Sequence, residues 1–185
     1  MARLIYSATA SLDGYINDAQ GGFDFAAPDA EVHAFVNDRE REIGTYLLGR
    51  RVYDVMTYWD TAPVDELSPA EADYARIWRQ IDKVVYSHTL DKVAAPRTRL
   101  EREFDAAEVL ALSSEAGRDV SVGAAGLAGR ALAAGIVDVL QVYIVPAVVG
   151  AGTRMLPEGL RLDLELVDEH RFANGTDYLQ YAVRR

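Results

Sequence analysis

The run VLQVYIVPAVV, from Val139 to Val149, is almost wholly apolar, broken only by Gln141, Tyr143 and Pro146. A strand apolar on both faces must be covered on both faces. That requires helices packed on each side of a sheet, which is the arrangement of parallel α/β folds. The rest of the chain supplies the parts. Short β-rich runs occur at RLIYSAT (residues 3–9), TYLLG, KVVYS and DVSVG. Helical patterns separate them. From Asp29 the residues Val32, Phe35, Val36 and Ile43 share one helical face. RRVYDVMTYW reads as a short helix. SPAE (68–71) is a capping box with proline at the first helical position, and Tyr74, Ile77, Trp78 and Ile81 follow it at helical spacing. DAAE (105–108) caps a further helix that Gly117 ends, and LAGRALAAG is closed by Gly135. TAPVDEL (61–67) reads as a surface loop. Near the end the period changes. LDLELVD alternates, and Asn174-Gly175 is a hairpin turn before DYLQYAV. The expectation is one domain over 1–185, with a mostly parallel sheet and an antiparallel hairpin at its C-terminal edge.

Composition excludes several classes of function. The chain has no cysteine, which removes disulfides, thiolate metal sites and thiol catalysis. Its net charge is −10, with only two lysines, so nucleic acid and anionic membranes are not expected partners. No segment is long and apolar enough for a bilayer span, and the N-terminus lacks the apolar region of a signal peptide. The expected location is the cytoplasm. His33, His88 and His170 are scattered and suggest no metal site, and no G-x-S-x-G hydrolase elbow occurs.

Three strand-to-helix turns carry the chemistry. VSVGAAGLAGRAL places Gly123, Gly126 and Gly129 in G-x-x-G-x-x-G spacing. This is neither the Rossmann fingerprint nor a P-loop. The turn either points free N–H groups at an anion or lets a helix pack closely on its strand. LLGRRVY sets Arg50 and Arg51 at the C-terminal end of a strand, where open α/β sheets bind ligands. YSHT offers Ser87, His88 and Thr89 at another strand end.

These pieces resemble the dihydrofolate reductase-like superfamily. The nearest branch is the one containing the C-terminal reductase domain of the riboflavin-biosynthesis protein RibD. ASLDGYI, YLLGRRVYDVMTYW, YSHTL, VSVGAAGLAGRALAAGIVDVLQVYIVPAVVGAGTRML and LELVDEHRFANGTDYLQY carry the resemblance across most of the chain. It implies a central sheet of about eight strands, NADPH as cofactor and a homodimer. By position, Gly49, Arg50, Arg51 and Val52 match the turn for the adenosine end of NADPH, with Arg50 near the 2′-phosphate. Ser87, His88 and Thr89 match the turn for that same phosphate. Gly123, Ala124, Ala125, Gly126 and Leu127 match the pyrophosphate turn. Asp13 and Gly14 match the loop over the nicotinamide, with Asp13 beside the reaction site. Two departures stand out: Ala124 replaces a usual glycine and is strained if its φ is positive, and VGAGT carries Ala151 where a glycine is usual.

On the substrate side, Glu31 and Phe35 have the spacing of the pterin-binding acid and aromatic of folate reductases, and Glu31 also reads as a favourable acid in a first helical turn. Tyr53 and Trp59 are either stacking platforms for a flat heterocycle or core aromatics. The expected function is NADPH-dependent hydride transfer to a small heterocycle, pterin- or aminopyrimidine-like, or to a related carbonyl compound. Asp13 or Glu31 would place the proton. The alternative is a non-catalytic nucleotide- or drug-binding protein that keeps the fold. NDAQGGFDF (17–25) is expected to be a mobile lid.

Overall fold

The computed structural model describes residues 2–184. Strand β1 (Leu4–Ser11) lies at the centre of the sheet. Next in the chain come β2 (Ile43–Gly49), β3 (Asp82–Tyr86) and β4 (Thr98–Glu101). The remaining strands are β5 (Asp119–Gly123), β6 (Val139–Val145), β7 (Asp163–Arg171) and β8 (Asp177–Arg184). Their order across the sheet is β4-β3-β2-β5-β1-β6-β8-β7. The first six are mutually parallel, and β8 runs antiparallel between β6 and β7.

The helices are α1 (Ala30–Glu40), α2 (Arg50–Met56), α3 (Tyr58–Thr61), α4 (Pro69–Gln80), α5 (Ala106–Glu115) and α6 (Ala125–Ala133). Alternation along each strand divides the core between the two faces. Leu47, Val84 and Val122 pack with Val109 of α5 and Leu127, Ala128 and Leu132 of α6. Leu48 and Val85 pack with Tyr53 of α2 and with Tyr74, Ile77 and Trp78 of α4. The parallel strands are thus covered on both faces, as the apolar runs demand. α4 begins as read: the Ser68 hydroxyl accepts the Glu71 N–H at 3.4 Å, and the Glu71 carboxylate accepts the Ser68 N–H at 2.9 Å.

Five details differ from the sequence reading. β4 was not expected, because TRLE is polar and short. As the outermost strand it pairs on one side only, where polar residues cost little. The helix expected from Arg50 breaks at Thr57 into α2 and α3. Ile43 belongs to β2 rather than to the preceding helix, and α5 ends at Glu115 with Ala116 as its C-cap, before Gly117. β7 alternates in sequence, yet its apolar residues Leu164, Leu166 and Val167 are exposed, because among the described residues nothing covers them.

Candidate functional site

Because β2, β3 and β5 are neighbours and parallel, their C-terminal ends emerge on one edge. Gly49 is in register with Tyr86, and Leu48 with Gly123. The three turns that follow converge on one pocket of about 220 Å³, walled by Gly49, Ser87, His88, Gly126 and Leu127. The turn after β3 is held by the Ser87 hydroxyl, which accepts the N–H groups of Thr89 at 3.3 Å and Leu90 at 3.1 Å. His88 and Thr89 face solvent. Two arginines absent from the sequence reading complete the wall, Arg102 and Arg130. Arg102 is oriented by the carbonyls of Ser87 (3.1 Å) and Leu90 (2.6 Å). Arg50 does not reach the pocket. Its guanidinium bends along α2 to Asp54 at 2.7 Å, and Arg51 is exposed. The local cations of this pocket are therefore Arg102 and Arg130.

The start of α6 fits an anion. No side chain caps it, so its first N–H groups lack a capping acceptor. Its N-cap is Ala124, with φ +84° and ψ +127°. The strain anticipated for this alanine is present, and its methyl stands 3.4 Å from where a Cβ on Gly49 would lie. A Cβ on Gly126 would meet nothing within 4 Å, so the cradle is open at that point. Ala151, the other departure, has an ordinary backbone. Its neighbour Gly152 cannot be replaced, since a Cβ there would overlap the Asn17 carbonyl.

Beside this pocket two cavities run under the sheet edge toward α1. The inner one, about 330 Å³, reaches from Gly123 and Val52 down to Thr9, Glu40, Tyr46 and Tyr74. The outer one, about 640 Å³, is lined mainly by apolar and aromatic groups, among them Phe23, His33, Tyr58 and Trp59. Thr9, Val36, Met56 and Tyr74 line both. Glu40 is the acid of the inner cavity. The Tyr46 hydroxyl donates to it at 2.5 Å. Burial pushes its carboxyl up to about 7, against the opposing effect of the Tyr46 hydrogen bond. Burial likewise raises the phenols of Tyr46 and Tyr74 far above their ordinary range.

The other sequence-derived residues take different places. The Asp13 carboxylate accepts the Ser11 hydroxyl at 2.7 Å and the N–H groups of Gly150 (2.8 Å) and Val149 (3.2 Å). The Ser11 bond first, then the two amides, hold it below its ordinary value. It ties the 147–152 loop to β1 and lines neither cavity. Gly14, with φ +85°, bonds to Ser11 and Met155 through its backbone. Glu31 is exposed and accepts the Ala173 N–H at 3.3 Å. Phe35 packs edge-on against Phe172, Tyr178 and Tyr143 and stacks on His170. Tyr53 is buried in the core, whereas Trp59 does line the outer cavity. The expected lid is pinned on its N-terminal side. Asp18 accepts the N–H groups of Gln20 and Gly22, and Asn17 accepts that of Thr153. Among the described residues no cluster has the makeup of a metal site, and no helix is long and apolar enough to cross a membrane.

Comparison with known proteins agrees with this architecture. Residues 2–179 match the RibD C-terminal domain family model. No curated protein sequence matches the chain significantly. Among solved structures it is similar to a putative riboflavin biosynthesis protein from Shewanella sp. PV-4, with TM-score 0.77 and 17% identity over all of both chains. A pyrimidine reductase-like protein from Corynebacterium diphtheriae superposes with TM-score 0.70 and 12% identity, over 100% of this chain and 92% of that one. Dihydrofolate reductase from Enterococcus faecalis, complexed with NADP(H), gives TM-score 0.61 and 15% identity over 99% and 97%. The eight-stranded sheet with its antiparallel C-terminal hairpin is the dihydrofolate reductase-like fold, and the chain belongs to the RibD C-terminal domain family.

Proposed function

We propose that this chain is an NADPH-dependent reductase of a small planar heterocycle, of pterin or aminopyrimidine type, or of a related carbonyl compound. The observation that carries this reading is convergence. Three turns from three adjacent strands meet in one pocket holding two arginines, beside an uncapped helix start and a largely apolar cleft. The phosphates would be held by the backbone from Ala124 to Leu127. Gly49, Ser87, Arg102 and Arg130 would surround the adenosine end, with His88 at its rim. When bound, the reduced nicotinamide supplies a hydride. The protein supplies the shape and the proton, consistent with the general division of labour in cofactor enzymes. Family membership and the NADP(H) complex of a fold neighbour support the same choice of cofactor. A second copy of the chain over the exposed apolar residues of β7 belongs to this reading.

The test is calorimetric titration with NADPH and NADH, followed by NADPH oxidation across a panel of pterins, aminopyrimidines and carbonyl compounds. Binding of NADPH with turnover of one class is the expected result. Tight binding without turnover of any would favour a sequestering protein, and failure to bind either cofactor would end the reductase reading.

A further inference from the structure

The outer cavity is opposite in charge to the anion pocket. Its wall is aromatic. Trp59 packs edge-on against Tyr58 and Tyr74, with ring centroids 5.1 Å away in both cases, and the His33 ring lies 6.5 Å from it. Phe23, Val55 and Tyr58 line the same space while about half exposed. Among the described residues neither a lysine nor an arginine lines this cavity or the inner one. Arg79 shares α4 with Glu71 and Tyr74, but it donates to the carbonyls of Trp59 at 3.0 Å and Ala62 at 2.7 Å. It therefore fixes α3 and does not line the cavity. The Trp78 indole N–H, which donates to Asp60 at 2.9 Å, anchors α3 a second time. The carboxylate of the wall is Glu71. Hydrogen bonds with Ser68, side chain first, hold it below its ordinary value, so it is ionised at neutral pH. Burial depresses His33 more than Glu71 and Asp73 raise it, so the imidazole adds no positive charge there. The net charge of −10 adds a long-range field of the same sign as Glu71.

We propose that the outer cavity is a site for an organic ammonium group on an apolar or aromatic body, held against the Trp59 and Tyr58 rings with Glu71 as its counter-charge. The inference rests on the reductase reading above for the group's role, which is to be the arm of the substrate that lies outside the inner cavity. A planar ring in the inner cavity can carry such an arm, because Thr9, Val36, Met56 and Tyr74 line both spaces. The substrate then bears a cation on this side and no phosphate. A phosphate would meet the Glu71 carboxylate and the negative faces of aromatic rings, with no cation in the wall to replace its lost hydration. An ammonium is suited to the same wall, since ring faces and a carboxylate attract it, and a methylated ammonium also buries apolar surface. The anchoring of α3 by Arg79 and Trp78 sets the Trp59 ring before a ligand arrives, which lowers the cost of ordering it on binding. Charge thus sorts the two ligands of the sheet edge. Phosphates go to the pocket of Arg102 and Arg130, and the cation goes to Glu71.

The experiment is calorimetry at neutral pH on the cofactor-free chain. The probes are p-(trimethylammonio)benzyl alcohol, its neutral isostere p-tert-butylbenzyl alcohol, and phenyl phosphate as an anionic competitor. The cation should bind saturably and about 2- to 30-fold more tightly than the isostere, the range for a cation held on an aromatic wall. Phenyl phosphate should not displace it. Glu71→Gln keeps the capping box, in which glutamine serves as well as glutamate, and removes the charge. It should weaken the cation by about 2- to 5-fold and leave the isostere unchanged. Trp59→Leu keeps an apolar wall without the ring and should bring the two affinities together. Equal affinity of cation and isostere in the wild type would overturn the proposal and mark the cavity as a site for neutral groups. No saturable binding of the cation, or displacement by phenyl phosphate, would overturn it too. Should Trp59→Leu fail to fold, an undiminished preference for the cation in Glu71→Gln would do the same. Titration of the wild type with NADPH separates the two readings. Cation preference without NADPH binding would refute the cofactor and leave the ammonium site standing, whereas NADPH binding without cation preference would overturn the site and leave the reductase reading intact.

Discussion

Replacing Ala124 by glycine should make the protein both more stable and better at holding NADPH. Ala124 sits at φ +84°, where an L side chain is strained, and it caps α6 with no side-chain hydrogen bond in return. Strain of this kind costs about 1–3 kcal/mol. Glycine relieves it but adds about 0.4–1 kcal/mol of unfolded-chain entropy that folding must remove. The net gain is then between about 0 and about 2.6 kcal/mol. At roughly 2–4 °C per kcal/mol for a domain of this size, Tm should rise by up to about 10 °C. The methyl also stands at the mouth of the helix start, near Gly49, so its removal widens the approach of a phosphate to the N–H groups. Scanning calorimetry reads the first effect and titration with NADPH the second. Ala125→Gly is the control, since Ala125 is the first helical residue of α6 and gains nothing from glycine. If Ala124→Gly lowers Tm as the control does, the backbone at 124 is not strained and the reasoning fails. A higher Tm with weaker NADPH binding would refute the link between this turn and the pyrophosphate.

Two further outcomes follow from the same geometry. Arg130→Ala should weaken NADPH by about 10- to 150-fold and barely touch NADH, while Arg50→Ala, which removes only an exposed pair with Asp54, should change neither by more than a few-fold; titration of both cofactors against both variants decides which arginine reads the 2′-phosphate. Asp13→Asn should speed amide exchange in residues 147–152 and lower stability above the ordinary aspartate range. Because the folded carboxylate is depressed, that deficit should shrink as the pH falls through its value, and thermal melts at acid and neutral pH would check it.

What the sequence could and could not disclose follows from which interactions are local. Strand–helix alternation, the Ser68 capping box and the Asn174-Gly175 turn depend on residues within a few positions of one another, and all three are present as read. The convergence of the turns at Gly49, Ser87 and Gly126 was legible too, because parallel neighbours must end on one edge. The pocket's cations were not. Arg50 stood beside the turn in sequence, but an i,i+4 carboxylate at Asp54 captured it. Arg102 and Arg130 reached the pocket from the segment after β4 and from one helical turn beyond Gly126. Asp13 and Glu31 line neither cavity for a similar reason. Asp13 lies in the turn after β1 and Glu31 in the first turn of α1, where backbone N–H groups claim them. Glu40 sits in the charged run NDRERE, which reads as a solvated helix end. Yet Val32, Val36 and Glu40 recur at i, i+4, i+8, which sets this carboxyl on the apolar stripe of α1. An acid that a helix turns toward the sheet has to be neutralised or paired. The Tyr46 hydroxyl donates to Glu40, and burial raises it to about 7, so the fold holds it partnered and close to its neutral form.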